Sequence, residues 1–209
     1  MIEEKSDSVF TVDSVHSTSE QLHTSDTPKK KNSILELAKF ALIAALIVVP
    51  IRTFVAQPFI VSGNSMVPTF HDQEYLIVDE LSYHVRDPHR GEVVVFKYPK
   101  DTSKYFIKRV VGLPGETLKL RGNEITIVNS EHPEGFILDQ SYIENKSNDS
   151  FEITLKDTQY YVMGDNRIAS SDSRAWGPLE RHFMVGRALL RILPFSKIGY
   201  LPGNHTLEQ

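Results

Sequence analysis

Tyr105-Phe106-Ile107-Lys108-Arg109-Val110-Val111 is the stretch on which the reading of this chain turns. Its aromatic and β-branched residues suit a pleated strand, and no helical period competes with that reading. Under strand alternation Phe106, Lys108 and Val110 share one face, while Tyr105, Ile107, Arg109 and Val111 share the other. Lys108 and Arg109 therefore point opposite ways. In a sheet covered on one side, one of the two faces apolar neighbours, and a lysine so placed gives up its charge more readily than an arginine. Bringing a lysine from about 10.4 to 7 or 8 takes roughly 3 units, or about 4 kcal/mol, within reach of desolvation among apolar side chains. A solvated strand lysine is the competing reading of the same residues.

Working outward, similar runs rich in Val, Ile, Tyr and Phe recur at 75–78, 92–98, 117–120, 124–128, 151–155, 159–163 and 185–192. Turn chemistry separates them. Leu113-Pro114-Gly115-Glu116 suits a type II turn, with proline second and glycine third. Arg121-Gly122-Asn123-Glu124 reads as a tight hairpin, since Gly and Asn both tolerate positive φ. The expected fold is mainly β: an antiparallel barrel-like or sandwich-like domain over residues 57–209, with no internal repeat.

Residues before this domain differ in kind. The 209-residue chain is 40% hydrophobic and 24% charged, with a net charge of -4 that makes no electrostatic case for nucleic acid. Its average hides a Ser/Thr-rich tail over 1–33 that holds too little apolar surface to offset ordering entropy, and is expected to be disordered. Residues 34–56 follow as an apolar stretch whose uncharged centre, 40–51, is short of the roughly 20 residues a span needs. A buried core helix is thus one reading. Counting outward restores the length if Lys39 and Arg52 snorkel to the two interfaces, and Lys29, Lys30 and Lys31 stand before the stretch as positive-inside orientation expects. The expectation is an uncleaved single-pass anchor with its N-terminus in the cytoplasm and the β domain outside the cell membrane.

With no cysteine, thiol nucleophiles, disulfides and Cys-ligated metals are excluded. The eight histidines form no HExxH and no pair beside a carboxylate in metal-site spacing, so neither metal nor cofactor is expected. One serine stands out, in Gly63-Asn64-Ser65-Met66-Val67-Pro68-Thr69, where small neighbours allow a tight turn that exposes a hydroxyl and brings backbone N–H groups to a reacting carbonyl. Such a hydroxyl needs a base. Lys108 is a candidate, although an ordinary turn serine remains open. The third constellation, Gly164-Asp165-Asn166-Arg167-Ile168-Ala169-Ser170-Ser171-Asp172-Ser173-Arg174-Ala175-Trp176-Gly177, is dense enough in polar groups to build a hydrogen-bonded platform beside a site, or to be a solvated connection.

Together with Arg90-Gly91-Glu92-Val93-Val94-Val95-Phe96 and the run from Tyr105 to Glu116, these stretches resemble the bacterial type I signal peptidases, membrane-anchored serine-lysine proteases that remove signal peptides from exported precursors. The resemblance implies Ser65 as nucleophile and Lys108 as neutral general base. It implies that Ser170 hydrogen-bonds and orients the lysine, that Asp172 and Arg174 form a supporting ion pair, and that Met66 and Ile107 line the pocket before the scissile bond. It implies small substrate side chains, Ala-x-Ala, and an apolar surface near the bilayer to which Phe59 and the Trp176 region belong. Its partners would be signal-peptide-bearing precursors and the lipid bilayer, with no nucleic acid and no metal. Two departures stand out. Some members carry a serine where this chain has Gly63, which leaves the oxyanion to backbone N–H groups, that of Ser65 first. Residues 129–150 are short where larger members insert a domain, so only a small cap is expected there. Two other readings stay open at this level: a self-cleaving serine-lysine protease, and a non-catalytic tethered β domain that binds exported chains.

Overall fold

The structure, a computed structural model, describes residues 33–50, 56–144 and 147–205. Apart from Ser33, the tail expected over 1–33 lies outside the described residues. The first element is α1 (Ser33–Pro50), 18 residues and so about 27 Å long. Its apolar side chains, among them Ile34, Leu37, Phe40, Leu42 and Leu46, are exposed. Among the described residues no helix is long and apolar enough to cross a membrane. Of the segment expected over 34–56, residues 34–50 are helical, 51–55 lie outside the described residues, and Ala56 belongs to a strand.

Strands β1 (Ala56–Ile60), β2 (Tyr75–Asp79), β3 (Val93–Tyr98), β4 (Asp101–Gly112), β5 (Thr117–Gly122) and β6 (Glu124–Val128) follow, with a one-turn helix α2 (Ser82–Val85) after β2. Then come β7 (Phe136–Ile137), β8 (Asp149–Thr154), β9 (Gln159–Met163), the one-turn α3 (Ser173–Trp176), β10 (Leu179–Glu180), β11 (Met184–Leu193) and β12 (Gly199–Tyr200). One eight-stranded sheet runs β1-β2-β11-β3-β4-β9-β10 with β12 on β11, and a four-stranded sheet runs β7-β6-β5-β8. Every pairing described is antiparallel. Both sheets lie within the unit Leu42–Gln209.

Both turns form where the sequence puts them. Glu116 N donates to Leu113 O at 3.3 Å and Gly115 sits at φ 77°, as the third position of a type II turn requires. In the hairpin, Arg121 pairs Glu124 and Gly122 alone takes a positive φ, 62°, without help from Asn123. The segment 129–150 supplies β7 and the first residues of β8, which flank the smaller sheet as its two edge strands.

That smaller sheet explains where one-sided reasoning about β4 fails. Val111 of β4 and Tyr161 and Met163 of β9 pack with Leu118, Leu120, Ile125 and Ile127 of the small sheet in one core cluster. The other face of the same strands packs Val110 and Val162 with Phe96, Leu179 and Met184. The second half of β4 is therefore covered on both sides, and Lys108 (4% exposed) and Arg109 (0%) are both buried, on opposite faces. Alternation survives; the exposed partner it suggested does not.

The first half of β4 is different. It pairs β3 but meets β9 only from Arg109 onward, so 101–108 present a free edge. A second free edge is β1, which among the described residues pairs only β2.

Candidate active site

Ser65 lies in the loop that joins β1 to β2. The neck of this loop is closed by Val61 N donating to Glu74 O and Gln73 N donating to Val61 O, both at 2.9 Å. Gly63, at φ 87°, donates its N–H to Asp72 Oδ1 at 2.7 Å. That left-handed conformation favours glycine, which accounts for Gly63 where other side chains would be strained. Within the loop Phe70 N donates to Met66 O at 2.9 Å and Val67 N to Asn64 O at 3.3 Å. The Ser65 N–H itself meets no acceptor among the described residues.

Lys108 Nζ donates to Ser65 Oγ at 2.8 Å and to Ile107 O at 2.8 Å. Its ammonium site lies 5.3 Å from the centre of the Phe106 ring, which in turn stacks on Tyr98, and Trp176 packs against Phe96 and Tyr98. Burial among these groups depresses the lysine from its usual value to about 8, against the smaller opposing pull of Asp172 and Asp165. No carboxylate forms an ion pair with Nζ among the described residues. A large share of the amine is therefore neutral near pH 8, as a general base requires.

The loop from Gly164 docks directly on the Ser65 turn. Asn166 N donates to Ser65 O at 3.0 Å, and Asn166 Nδ2 to Asn64 O at 3.2 Å. At Gly164 any Cβ would overlap Ser65 O and the Ser170 hydroxyl, so the approach is possible only for glycine. Asp172 is fully buried and accepts from Gly164 N at 3.0 Å while pairing Arg174 through Nε and Nη2, both at 2.8 Å. Arg174 also reaches Asp149 of β8 at 2.7 Å and Arg167 O at 2.7 Å, and these carboxylates raise its pKa further. Asp172 and Arg174 thus hold the loop to the sheet and to β8.

Other expected roles look different in space. The Ser170 Oγ is buried with no hydrogen-bond partner among the described residues, so it does not bond Lys108; Ile107 O does. Met66 is 1% exposed and sits in a core cluster with Val61, Leu76 and Ile107, which line a groove that it backs without lining. Ile107 does line it. Trp176 is half-buried in the core.

This groove, of about 400 Å³, opens beside Ser65 and Lys108. One wall is Phe59, Ile60, Val61 and Ser62 of the β1 side, and the other is the free edge of β4 from Lys104 to Lys108. Phe59 and Tyr105 meet edge to face at 5.3 Å.

What sequence reasoning missed lies on the reverse face of β4. Arg109 donates to Asp165 through Nε at 2.8 Å and Nη2 at 2.6 Å, and both side chains are buried. Thr69 Oγ1, four residues after Ser65, donates to the same carboxylate at 2.5 Å. A strand arginine with no route to solvent signals that a buried carboxylate must exist, but nothing in the spacing picks one out of 27 acids.

A serine hydroxyl on a buried amine, beside a groove between two free strand edges of a mainly β domain, defines the class as serine endopeptidases. Comparison with known proteins agrees and is more specific. Residues 34–193 match the family model described as "Signal peptidase, peptidase S26". A probable signal peptidase I-2 of Synechocystis sp. is 37% identical over 88% of this chain and 86% of its own length. The signal peptidase I of Leptolyngbya laminosa is 35% identical over 83% and 87%, and that of Bacillus amyloliquefaciens 31% identical over 81% and 93%. The chain belongs to the signal peptidase, peptidase S26, family. It is a serine endopeptidase that cleaves signal peptides.

Proposed function

We propose that Ser65 and Lys108 carry out this cleavage, on exported precursors and after small residues. The contact between Lys108 Nζ and Ser65 Oγ, 2.8 Å with the amine buried, carries the reading. In its neutral form the amine accepts the Ser65 proton as Oγ attacks the scissile carbonyl carbon, and the new ammonium then gives that proton to the leaving amine. The acyl group remains on Oγ as an ester until a water, deprotonated by Lys108 in turn, releases it. The oxyanion formed in each half-reaction is placed on the free Ser65 N–H. Ile107 O fixes the amine meanwhile. Asp172 and Arg174 act at one remove, by holding the loop that carries Gly164 and Ser170, and the unpartnered Ser170 hydroxyl stands ready to take up a hydrogen bond when Ser65 is acylated.

The groove favours an extended substrate, because both walls offer strand edges that no further strand pairs among the described residues. Ile107 and Val61 beside Ser65 leave room for small side chains, in keeping with an Ala-x-Ala preference. Membrane attachment belongs to this proposal as well. The apolar side chains of α1 are exposed along its described length, and the apolar stretch from Ile34 to the residues before β1 is assigned to a single-pass anchor with its N-terminus cytoplasmic and the peptidase domain outside. Anchoring puts enzyme and cleavage site at one interface and raises their effective concentration.

Mass spectrometry of a presecretory substrate after incubation tests the assignment. Ser65→Ala and Lys108→Ala should each leave the precursor intact while the far-UV circular dichroism matches the parent; processing by either variant overturns the dyad.

A further inference from the structure

The backbone beyond β12 returns across the reverse face of β4. Leu201 N donates to Leu189 O at 2.7 Å, and Asn204 N to Leu201 O at 3.0 Å, so the segment is bonded to β11 and folded on itself. Gly203 O accepts from Arg109 Nη1, whose other acceptor is Gly91 O at 2.7 Å. The Arg109 guanidinium lies 4.3 Å from the centre of the Tyr142 ring, and His205 stacks on the same ring, 4.6 Å between centroids and at 13°. Gly203 takes φ 74°, and a Cβ there would overlap Thr69 Cγ2 and approach Phe70 to 3.3 Å. The segment is thus pressed against the stretch that follows Ser65, on glycine's terms only.

Arg109 has no other function visible in the site. It points away from Lys108, yet it is held at both ends, by Asp165 on one side and by Gly91 O and Gly203 O on the other. Asp165 in turn holds Thr69 of the Ser65 loop and begins the segment that docks on Ser65 O through Asn166. We propose that residues 201–205 are a positioning strap: they fix Arg109 on Asp165, and through Asp165 and Thr69 they keep the Ser65 turn in register with the Gly164 loop. The strap rests on Ser65 being the nucleophile. Its chemistry is that of a clamp, with no contact to substrate. Its effect belongs to the chemical step, since misplacing a nucleophile by a fraction of an ångström slows attack without changing how the groove holds the chain.

Gly203→Ala in the full chain is the test, with kcat and KM measured on a precursor peptide and kcat expressed per Ser65 site titrated by a peptide-like acylating inhibitor. The strap predicts a fall of about tenfold in kcat per titrated site with KM unchanged to within about twofold. Adding Thr69→Ser removes the methyl group that the new Cβ meets and keeps the hydroxyl on Asp165, so the double variant should regain about threefold. A purely structural role would lower the number of titratable sites and leave kcat per site at the parent value; that result overturns the proposal. Should Gly203→Ala yield no folded protein, His205→Ala decides, with a fall of about threefold per site expected, recovered by His205→Phe, which keeps a ring on Tyr142. Unchanged kcat per site in His205→Ala is then the contrary result. A parent chain that cleaves precursor without being acylated at Ser65 overturns the nucleophile and the strap together, whereas an acylated parent with unaffected variants overturns the strap alone.

Discussion

Lys108 and Arg109 are neighbours in one strand and both are buried, yet the protein treats them in opposite ways. The Arg109 face supplies a bidentate carboxylate, two backbone carbonyls and a ring, so that every part of the guanidinium has a partner. The Lys108 face supplies one hydroxyl, one carbonyl and an aromatic wall, with the two nearby carboxylates held off in pairs with Arg109 and Arg174. A guanidinium does not lose its proton, so burial has to be answered with charge; an amine can answer burial by giving the proton up. The difference teaches that burial can leave an amine free to lose its charge on one face and rivet a guanidinium in place on the other.

The largest effect expected from breaking this contrast is Lys108→Arg, which puts a group that cannot deprotonate into the dry face. Precursor cleavage should fall by roughly 10⁴-fold or more, followed by gel or mass assay. On the other face Asp165→Ala strands Arg109 without its counter-charge, and chemical denaturation should show a loss of about 3–5 kcal/mol. Phe106→Ala should act more gently, by admitting water beside Nζ. The lysine pKa then moves up toward its ordinary value, so the acid limb of kcat/KM shifts to higher pH and activity near pH 7 drops several-fold, while activity well above pH 9 is largely kept. A limb that stays in place would show that Phe106 is not part of the desolvating wall.

Much of this contrast is legible in the sequence, because alternation alone sets Lys108 and Arg109 on opposite faces and the Ser65 and Gly164 stretches carry distinctive chemistry. Every strand run read from β-branched and aromatic density is a strand in the structure. What escaped has physical reasons. Strand β1 contains Pro58 and Gln57 and pairs on one side only, which is where a proline is tolerated, so it has no density of strand-forming residues to betray it. Strands β7, β10 and β12 are two residues long and exist through their partners. The burial of Arg109 depends on partners far away in the chain, Asp165, Gly91 O, Gly203 O and the Tyr142 ring, which no local pattern reveals. Met66 reads as a pocket residue only by analogy; one residue after Ser65, its side chain turns into the core with Phe70 and Leu76. The resemblance puts Ser170 on the lysine, yet the carbonyl of Ile107, a group no side-chain motif can announce, takes that place.

The central claim is that Ser65 attacks with Lys108 as its neutral base, and the rate of Ser65 acylation against pH tests it most directly. With a peptide-like acylating inhibitor and mass spectrometry to locate the adduct, the account predicts modification at Ser65. Its rate should rise about tenfold per pH unit below the lysine pKa and level off above about 8, so that pH 6 gives about one hundredth of the plateau. An adduct elsewhere, or a rate that stays flat down to pH 5, would contradict it.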